Sequence, residues 1–171
     1  MPEQKTIERA RQAERKGKAP TTQAGEFIRE EMEHIREGKQ GARSTKQAIA
    51  IGLSKARRAG VKLPPPKKGK ATDRTRSSAE KAYEKGQSGT HQNTSPRRSR
   101  AITRALKREG HQAASHAALA RQAKAQARQR TAKEKSAIGR KAARTRLAHQ
   151  THAERVAIAR KAARTRKMMA S

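Results

Sequence analysis

The chain has 171 residues and a formal net charge of +30 at pH 7, with 32% hydrophobic residues, one Phe, one Tyr and no Trp or Cys. So few large apolar side chains argue against one compact domain, and low hydrophobicity with high charge is typical of partly disordered chains. The lack of cysteine excludes a disulfide framework and a thiolate nucleophile. No apolar run reaches the length of a signal peptide or a membrane span, so we expect a soluble, cytoplasmic protein.

The net positive charge is confined to the later part of the chain. Residues 1–37 hold eight basic and eight acidic residues, whereas residues 38–171 hold 36 basic and six acidic ones and so carry the whole net charge. This asymmetry suggests a polyanion-binding arm attached to a neutral head.

The first 24 residues are predicted to form a short helix and a linker. Thr6 can cap a helix over residues 6–16, with Ile7 on its apolar side. Gly17 and Pro20 read as stop signals after it. This helix has little to bury, so we expect it to be weak in isolation.

Residues 25–66 are the predicted folding nucleus, a helical hairpin. Nine of the 21 Ile, Leu, Val, Met, Phe and Tyr residues of the chain lie between positions 27 and 63. In the first helix, Ile28, Met32 and Ile35 follow the i, i+4, i+7 spacing of one helix face. Three glutamates mark the opposite face, namely Glu26, Glu30 and Glu33.

The second helix of the hairpin begins at Ser44, which forms a capping-box pattern with Gln47. Its apolar stripe includes small residues that would let the two helices approach closely, namely Ala48, Gly52 and Ala56. Gly60 and the prolines at 64–66 end it.

A polar linker with one short helix is predicted over residues 67–94. Ser77 and Glu80 can cap that helix, and Gly86 can end it.

Residues 95–171 are predicted to form a basic helical tail rich in Ala, Lys and Arg. Its first helix has Ser95 as N-cap, Pro96 at the first helical position and Gly110 beyond its end. Residues 112–130 are alanine-rich and favour a second helix.

The tail contains a repeat with a period of 20 residues. Residues 131–146, TAKEKSAIGRKAARTR, and residues 151–166, THAERVAIARKAARTR, are identical at eleven of sixteen positions. Each copy opens with a capping box, so each is predicted to start its own helix. Two copies with one Ile each cannot build a solenoid core.

Basic side chains in these helices are the candidate nucleic-acid contacts. In the first repeat, Lys133, Arg140 and Arg144 line one helix side, with Lys141 nearby and Ile138 roughly opposite. Arg160, Lys161 and Arg164 repeat the arrangement around Ile158, and such a stripe suits successive phosphates. Thr145 and Thr165 could add hydroxyl contacts. A solvated, charged helix face is the alternative. The candidates are Lys46, Arg57, Arg58, Arg97, Arg98, Arg100, Arg104, Lys133, Arg140, Lys141, Arg144, Arg146, Arg160, Lys161, Arg164 and Arg166.

The scarcity of aromatic residues favours duplex DNA over RNA as the partner. Single-strand and RNA-binding modules stack bases on aromatic side chains, and this chain offers only Phe27 and Tyr83. Binding should be salt-sensitive and tolerant of sequence. The second hairpin helix could enter a groove as in a helix-turn-helix, although its spacing serves plain hairpin packing equally well.

No catalytic residue, metal site or cofactor is predicted. His149 and His152 lie three residues apart, but no further ligands join them in sequence. The glycines at 38 and 41 do not form a P-loop. We therefore expect a protein that is not an enzyme and does not bind membranes, since its basic helices lack large apolar anchors.

The segment KQAIAIGLSKARRAG, residues 46–60, with GEFIREEMEHIREGKQGARS ahead of it, resembles a bacterial family of small, basic proteins. Its members are loosely described as DNA-binding, histone-like or plasmid-stabilisation proteins. The segments SPRRSRAITRALKREG and KAARTR resemble the tails of such proteins. The resemblance implies a bacterial, nucleoid-associated protein and supplies no site residues.

The expected fold is all-α, with a helical hairpin and several basic, partly disordered helices on flexible linkers. The expected function is non-enzymatic, sequence-tolerant DNA binding through phosphate contacts. Two alternatives stay open at this point. One is an RNA- or ribosome-associated role. The other is a protein-interaction or self-association module at residues 25–66 with a tail that tethers it to nucleic acid.

Overall fold

The computed structural model describes residues 2–89 and 95–169, and within these ranges the chain is helical without any strand. The prediction of an all-α fold is therefore confirmed. The helices are α1 (Gln4–Arg15), α2 (Pro20–Arg36), α3 (Thr45–Arg58), α4 (Asp73–Gln87), α5 (Pro96–Lys107), α6 (His116–Arg128), α7 (Ala132–His149) and α8 (His152–Met169), with a 3-10 turn at Gln112–Ala114. None of the described helices is long and apolar enough to cross a membrane.

The chain divides into two units, Met1–Lys124 and Ala125–Ser171. In the first unit, α2 packs against both α1 and α3, and α3 packs against α4. The packed region therefore extends beyond the predicted hairpin in both directions. The predicted linker at 67–94 runs into residues 90–94, which lie outside the described residues.

The helix α2 starts at Pro20, five residues before the predicted hairpin at residues 25–66. Pro20 occupies the first turn of α2, with Ala19 as the N-cap residue. Proline has no backbone N–H and a fixed φ, so it ends one helix and suits the start of the next equally well. Only its role as a stop signal was predicted. Residues 20–24 are consequently helical rather than part of a linker.

α1 is part of the core instead of an isolated helix. Its Ala10 is 4% exposed and lies in an apolar cluster with Phe27 of α2 and Ala56 of α3, and Ile7 packs against that cluster. Thr6, predicted as the cap, lies within the helix and is buried, because the N-cap residue is Glu3. Burial of this face supplies the stability that a twelve-residue helix lacks alone.

α2 and α3 cross in close contact, as their small residues predicted. An added Cβ at Gly52 would lie 2.8 Å from the Cα of Ile28, and Ala48 and Ala56 have no exposed surface. Only a glycine allows the two backbones this approach. Ser44 is the N-cap of α3, as predicted, and accepts a hydrogen bond from the N–H of Gln47 at 3.2 Å. In place of the reciprocal bond of the predicted capping box, the side-chain oxygen of Gln47 accepts from the N–H of Arg43 at 2.9 Å.

Two glutamates of α2 are buried rather than exposed to solvent. Glu30 and Glu31 are 3% and 0% exposed, and both carboxylates contact the ammonium of Lys55 on α3, at 3.1 and 2.8 Å. Glu30 also accepts a hydrogen bond from the backbone N–H of Glu3 at the start of α1. The sequence did not predict the burial of Glu30, because the partner that allows it, Lys55, lies on another helix.

α4 is longer than predicted and packs on α3. Thr72, not Ser77, is its N-cap, and the Thr72 hydroxyl accepts from the N–H of Thr75 at 3.3 Å. Ala79 and Ala82 are buried. The helix ends at Gln87, one residue after the predicted Gly86. An added Cβ at Gly86 would lie 1.8 Å from the Arg57 carbonyl oxygen. The glycine therefore marks a close approach to α3.

A second apolar cluster joins the hairpin to the 3-10 turn. Ala113 and Ala114 are buried against Met32, Ile35 and Ala48. Ala114 has no exposed surface at all. The alanine-rich segment was predicted only as a helix, and two of its alanines instead serve as core residues.

Candidate nucleic-acid interface

The two repeats form two helices with the same N-terminal cap, as predicted. In the first repeat, the Thr131 hydroxyl accepts from the N–H of Glu134 at 3.2 Å, and the Glu134 carboxylate accepts from the N–H of Thr131 at 2.8 Å. Thr151 and Glu154 form the same pair of bonds at 3.3 and 2.8 Å. Each repeat therefore starts its own helix because its own sequence satisfies the first backbone donors.

The repeat helices expose their basic side chains. All nine predicted lysines and arginines of α7 and α8 are exposed, and within the described residues none of the nine forms a salt bridge with an acidic group. They are Lys133, Arg140, Lys141, Arg144, Arg146, Arg160, Lys161, Arg164 and Arg166.

Helix geometry places most of these side chains on one side. Lys133, Arg140 and Arg144 fall within about 40° of one another at about 100° per residue, and Arg140 and Arg144 are about 6 Å apart along the axis. Arg160 and Arg164 have the same spacing in α8. Arg146 is the exception, about 160° around the helix from Arg144, and Arg166 occupies the equivalent position in the second repeat.

The threonine hydroxyls of the repeats are already engaged. Thr145 donates its hydroxyl hydrogen to the carbonyl of Lys141 at 3.1 Å, and Thr165 does the same to Lys161 at 3.1 Å. A phosphate oxygen needs a donor, and this back-bonding uses the one that each hydroxyl has. In this structure, the hydroxyls of Thr145 and Thr165 therefore have no hydrogen left to donate to a phosphate.

α5 carries a further basic face. Its four predicted residues, Arg97, Arg98, Arg100 and Arg104, are all exposed, and no residue of α5 is buried. Arg97, Arg100 and Arg104 lie within about 60° of one another, whereas Arg98 lies apart from them. Ser95 is the N-cap residue, as predicted, although its side chain makes no capping hydrogen bond.

The C-terminal end of α5 is fixed to the loop between α2 and α3. The N–H of Gly41 donates to the carbonyl of Leu106 at 2.9 Å, and the N–H of Ala42 donates to the carbonyl of Gly110 at 3.1 Å. An added Cβ at Gly41 would lie 1.9 Å from the Glu109 carbonyl oxygen. Gly41 is thus required by a close approach of two backbones.

Side chains fix the next turn in the same way. The Thr45 hydroxyl donates to the carbonyl of Ala113 at 2.7 Å in a buried position, and Arg36 Nε donates to the carbonyl of Ala114 at 2.9 Å. These bonds join residues that are 68 and 78 positions apart in the chain. No local pattern could have revealed them.

The candidates on α3 do not form one surface. Lys46 and Arg58 are exposed but lie at opposite ends of the helix, about 18 Å apart along its axis. Arg57 is 7% exposed, and its guanidinium donates to the carbonyls of Leu63 and Pro64, both at 3.2 Å. Burial lowers the pKa of Arg57.

Arg57 is therefore a correction to the predicted set. Its guanidinium holds the chain that folds back after α3 and does not face solvent. α3 itself packs against α2 on one side and α4 on another. The geometry favours hairpin packing over entry of this helix into a groove.

The described residues contain no group of three or more His, Cys, Asp and Glu side chains that could hold a metal ion. The side chain of His149, one of the two histidines considered in the sequence, is outside the described residues. His152 is exposed near the start of α8.

Comparison with known proteins reaches only the first part of the chain. Residues 3–68 match a family of unknown function, DUF6496. No curated protein and no solved structure matches the chain. The matched segment covers α1, α2 and α3 together with the proline run, and it leaves the basic helices α5, α7 and α8 outside. The match indicates that residues 3–68 are similar to members of this family, and it assigns them no activity.

Proposed function

We propose that the protein is a non-enzymatic, sequence-tolerant DNA-binding protein of the histone-like type, acting through phosphate contacts of α5, α7 and α8. The observation that carries the proposal is that fifteen of the sixteen candidate basic side chains are exposed, Arg57 being the exception. Residues 125–171 alone hold 14 basic and two acidic residues. Cations gathered at this density repel one another unless a polyanion binds them.

Duplex DNA is the proposed partner because neither aromatic side chain is an open stacking platform. Phe27 has no exposed surface and belongs to the core, and Tyr83 is half-buried on α4. Single-stranded nucleic acid and RNA loops are recognised largely by stacking on such side chains. Basic helices without them suit the phosphates of a duplex, which carry no sequence information. A cytoplasmic, nucleoid-associated location follows from this proposal.

We also propose that α7 and α8 are partly disordered in the free protein, on flexible linkers, and gain helix on binding. Ile138 and Ile158 remain 48% and 54% exposed, so neither helix is stabilised by burial of its apolar residues. Such helices are marginal in water, and neutralisation of their charge by phosphates would favour them. Far-ultraviolet circular dichroism with and without duplex DNA tests this part, and an unchanged helix content would contradict it.

The main test is a competition experiment across a salt series. Labelled duplex DNA is bound in about 0.05 to 0.2 M salt and then competed with unrelated duplexes and with structured RNA. We expect unrelated duplexes to compete equally, RNA to compete less well, and affinity to fall steeply with salt. Binding that persists unchanged in high salt, or no binding in low salt, would contradict the proposal, and stronger competition by RNA would favour the RNA-associated alternative.

A further inference from the structure

The docking of α5 on the α2–α3 loop brings together basic residues that are far apart in the sequence. Arg43 follows the loop glycine Gly41, and Lys107 and Arg108 end α5, more than 60 positions later. The backbone bonds of Gly41 and Ala42 to the end of α5 place these residues beside one another. The contact is completed by an ion pair between Arg43 and Glu109 at 3.6 Å.

We propose that this contact builds a composite phosphate-binding surface, formed by Arg43, Lys107 and Arg108, which binds the backbone of duplex DNA. The proposal rests on the DNA-binding function proposed above and adds residues outside the predicted set. Gly41 acts in it as a positioning residue, because it holds the two segments together without touching the phosphate.

The exposure of the three side chains supports a ligand there. Arg43 retains 81% of its side-chain surface, and Lys107 and Arg108 are exposed as well. One carboxylate, Glu109, lies among these three cations, so docking gathers like charges that an anion would relieve. Cations at the end of a helix also offset its dipole, which alone would account for Lys107 and Arg108 but not for Arg43.

The surface also continues the basic face of α5. Lys107 follows Arg104 by three residues and Arg97 by ten, so it lies on the same side of the helix, and the four residues Arg97, Arg100, Arg104 and Lys107 fall within about 80°. A duplex lying along this face would reach the α2–α3 loop at its end. Because the loop belongs to the packed unit, the orientation of α5 is set before binding, which lowers the entropy lost on association.

Two triple variants with the same loss of charge test the surface. Arg43, Lys107 and Arg108 are changed to Gln in one, and the exposed α1 residues Arg9, Arg11 and Arg15 in the other. We expect the first to weaken duplex binding at least about tenfold at 0.1 M salt and to lower the salt slope by about 0.9 for each lost contact. The α1 variant should keep the wild-type slope. Equal slopes in the two variants would overturn the proposal.

The positioning role is tested without changing charge. Gly41→Ala forces a Cβ against the Glu109 carbonyl and should reproduce part of the loss, whereas Gly110→Ala, on the other side of the same contact, meets nothing within 4 Å and should bind as wild type. Identical binding by both would overturn this role. If urea unfolding shows that Gly41→Ala does not fold, the triple variants decide.

A wild-type protein that binds no duplex DNA would refute the proposed function itself. Wild-type binding with no difference between the matched variants would refute only this surface.

Discussion

The carboxylate of Glu31 lies 2.8 Å from the ammonium of Lys55 at a point where Glu31 has no exposed side-chain surface and Lys55 retains 18%. Lys55 also contacts Glu30 at 3.1 Å. Gln40 donates a hydrogen bond to the other oxygen of Glu31. The lysine thus compensates two buried carboxylates of α2 from α3, and it stabilises the pairing of the two helices in a single register.

Replacing this lysine should destabilise the first unit strongly. Lys55→Met leaves two buried carboxylates without their cation, which should lower the free energy of unfolding by about 3–5 kcal/mol. Urea unfolding followed by circular dichroism measures the change. Lys46→Met, at an exposed position of the same helix, is the control and should stay within about 0.5 kcal/mol. Similar losses in both variants would contradict the role given to Lys55.

The same cluster should set the pH range of stability. Burial alone would raise the pKa of Glu30 above its ordinary value of 4.5. The pKa is nevertheless lowered, because Thr6, Lys55 and the Glu3 backbone donate hydrogen bonds to the carboxylate. Burial alone would lower the pKa of Lys55 below its ordinary value of 10.5. The pKa is nevertheless raised, because the Lys55 ammonium donates hydrogen bonds to Glu31 and Glu30.

A group whose pKa is lowered on folding stabilises the fold above its unfolded pKa and stops doing so as the pH falls through the folded value. A group whose pKa is raised stabilises it below the unfolded value and stops doing so as the pH rises through the folded one. Stability should therefore be highest between about pH 4.5 and 10.5, falling on both sides. In Lys55→Met, the loss of stability at alkaline pH should be smaller than in the wild type, because the lysine that causes part of it is absent. Urea unfolding midpoints measured across pH test this. An equally steep alkaline fall in the wild type and the variant would contradict the role of Lys55.

The crossing of α2 and α3 predicts opposite effects at two helical glycines. Gly52→Ala places a Cβ 2.8 Å from the Cα of Ile28, so it should cost about 1–3 kcal/mol of unfolding free energy by overpacking. Gly25→Ala meets nothing within 4 Å and should stabilise α2 by about 0.5–1 kcal/mol, because alanine favours helix more than glycine does. Urea unfolding distinguishes the two, and a stabilising Gly52→Ala would show that the helices do not pack this closely.

Features that depend on residues close together in the sequence were predicted, and features that depend on partners in other helices were not. The close crossing of α2 and α3 was predictable from the spacing of the small residues within α3. The caps of the repeats were predictable because the two partners of each bond lie three residues apart. The ambiguity of Pro20 is local too, but the residue favours two opposite outcomes. Burial of Glu30 and of Ala113 depends on partners in other helices, and alanine carries too weak an apolar signal to reveal such a contact.

Arg57 and Arg58 are neighbours with opposite roles, and this difference is testable. Arg57→Gln removes guanidinium bonds to the carbonyls of Leu63 and Pro64, so it should lower the free energy of unfolding by about 1.5–3 kcal/mol. Arg58→Gln changes an exposed side chain and should have an effect within about 0.5 kcal/mol. Two variants of equal stability would mean that the segment after α3 is not held by Arg57.

The two sides of the repeat helices give the sharpest test of how the tail binds. Arg144→Gln with Arg164→Gln removes one arginine from the basic side of each repeat, and Arg146→Gln with Arg166→Gln removes one from nearly the opposite side. Both double variants lose the same charge from exposed positions. If the aligned stripe contacts phosphates, the first should lower the slope of affinity against salt by about 1.8, since each contact contributes about 0.9.

The second double variant should change that slope by much less, because its arginines point away from the bound backbone. Fluorescence anisotropy with duplex DNA over a salt series measures both slopes. Equal reductions would mean that the tail acts as a diffuse cation cloud, in which only the amount of charge matters, and that the alignment of Arg140 with Arg144 has no part in binding. A clear difference between variants of equal charge would require a helical tail on the DNA, since only a helix separates Arg144 from Arg146 by about 160°.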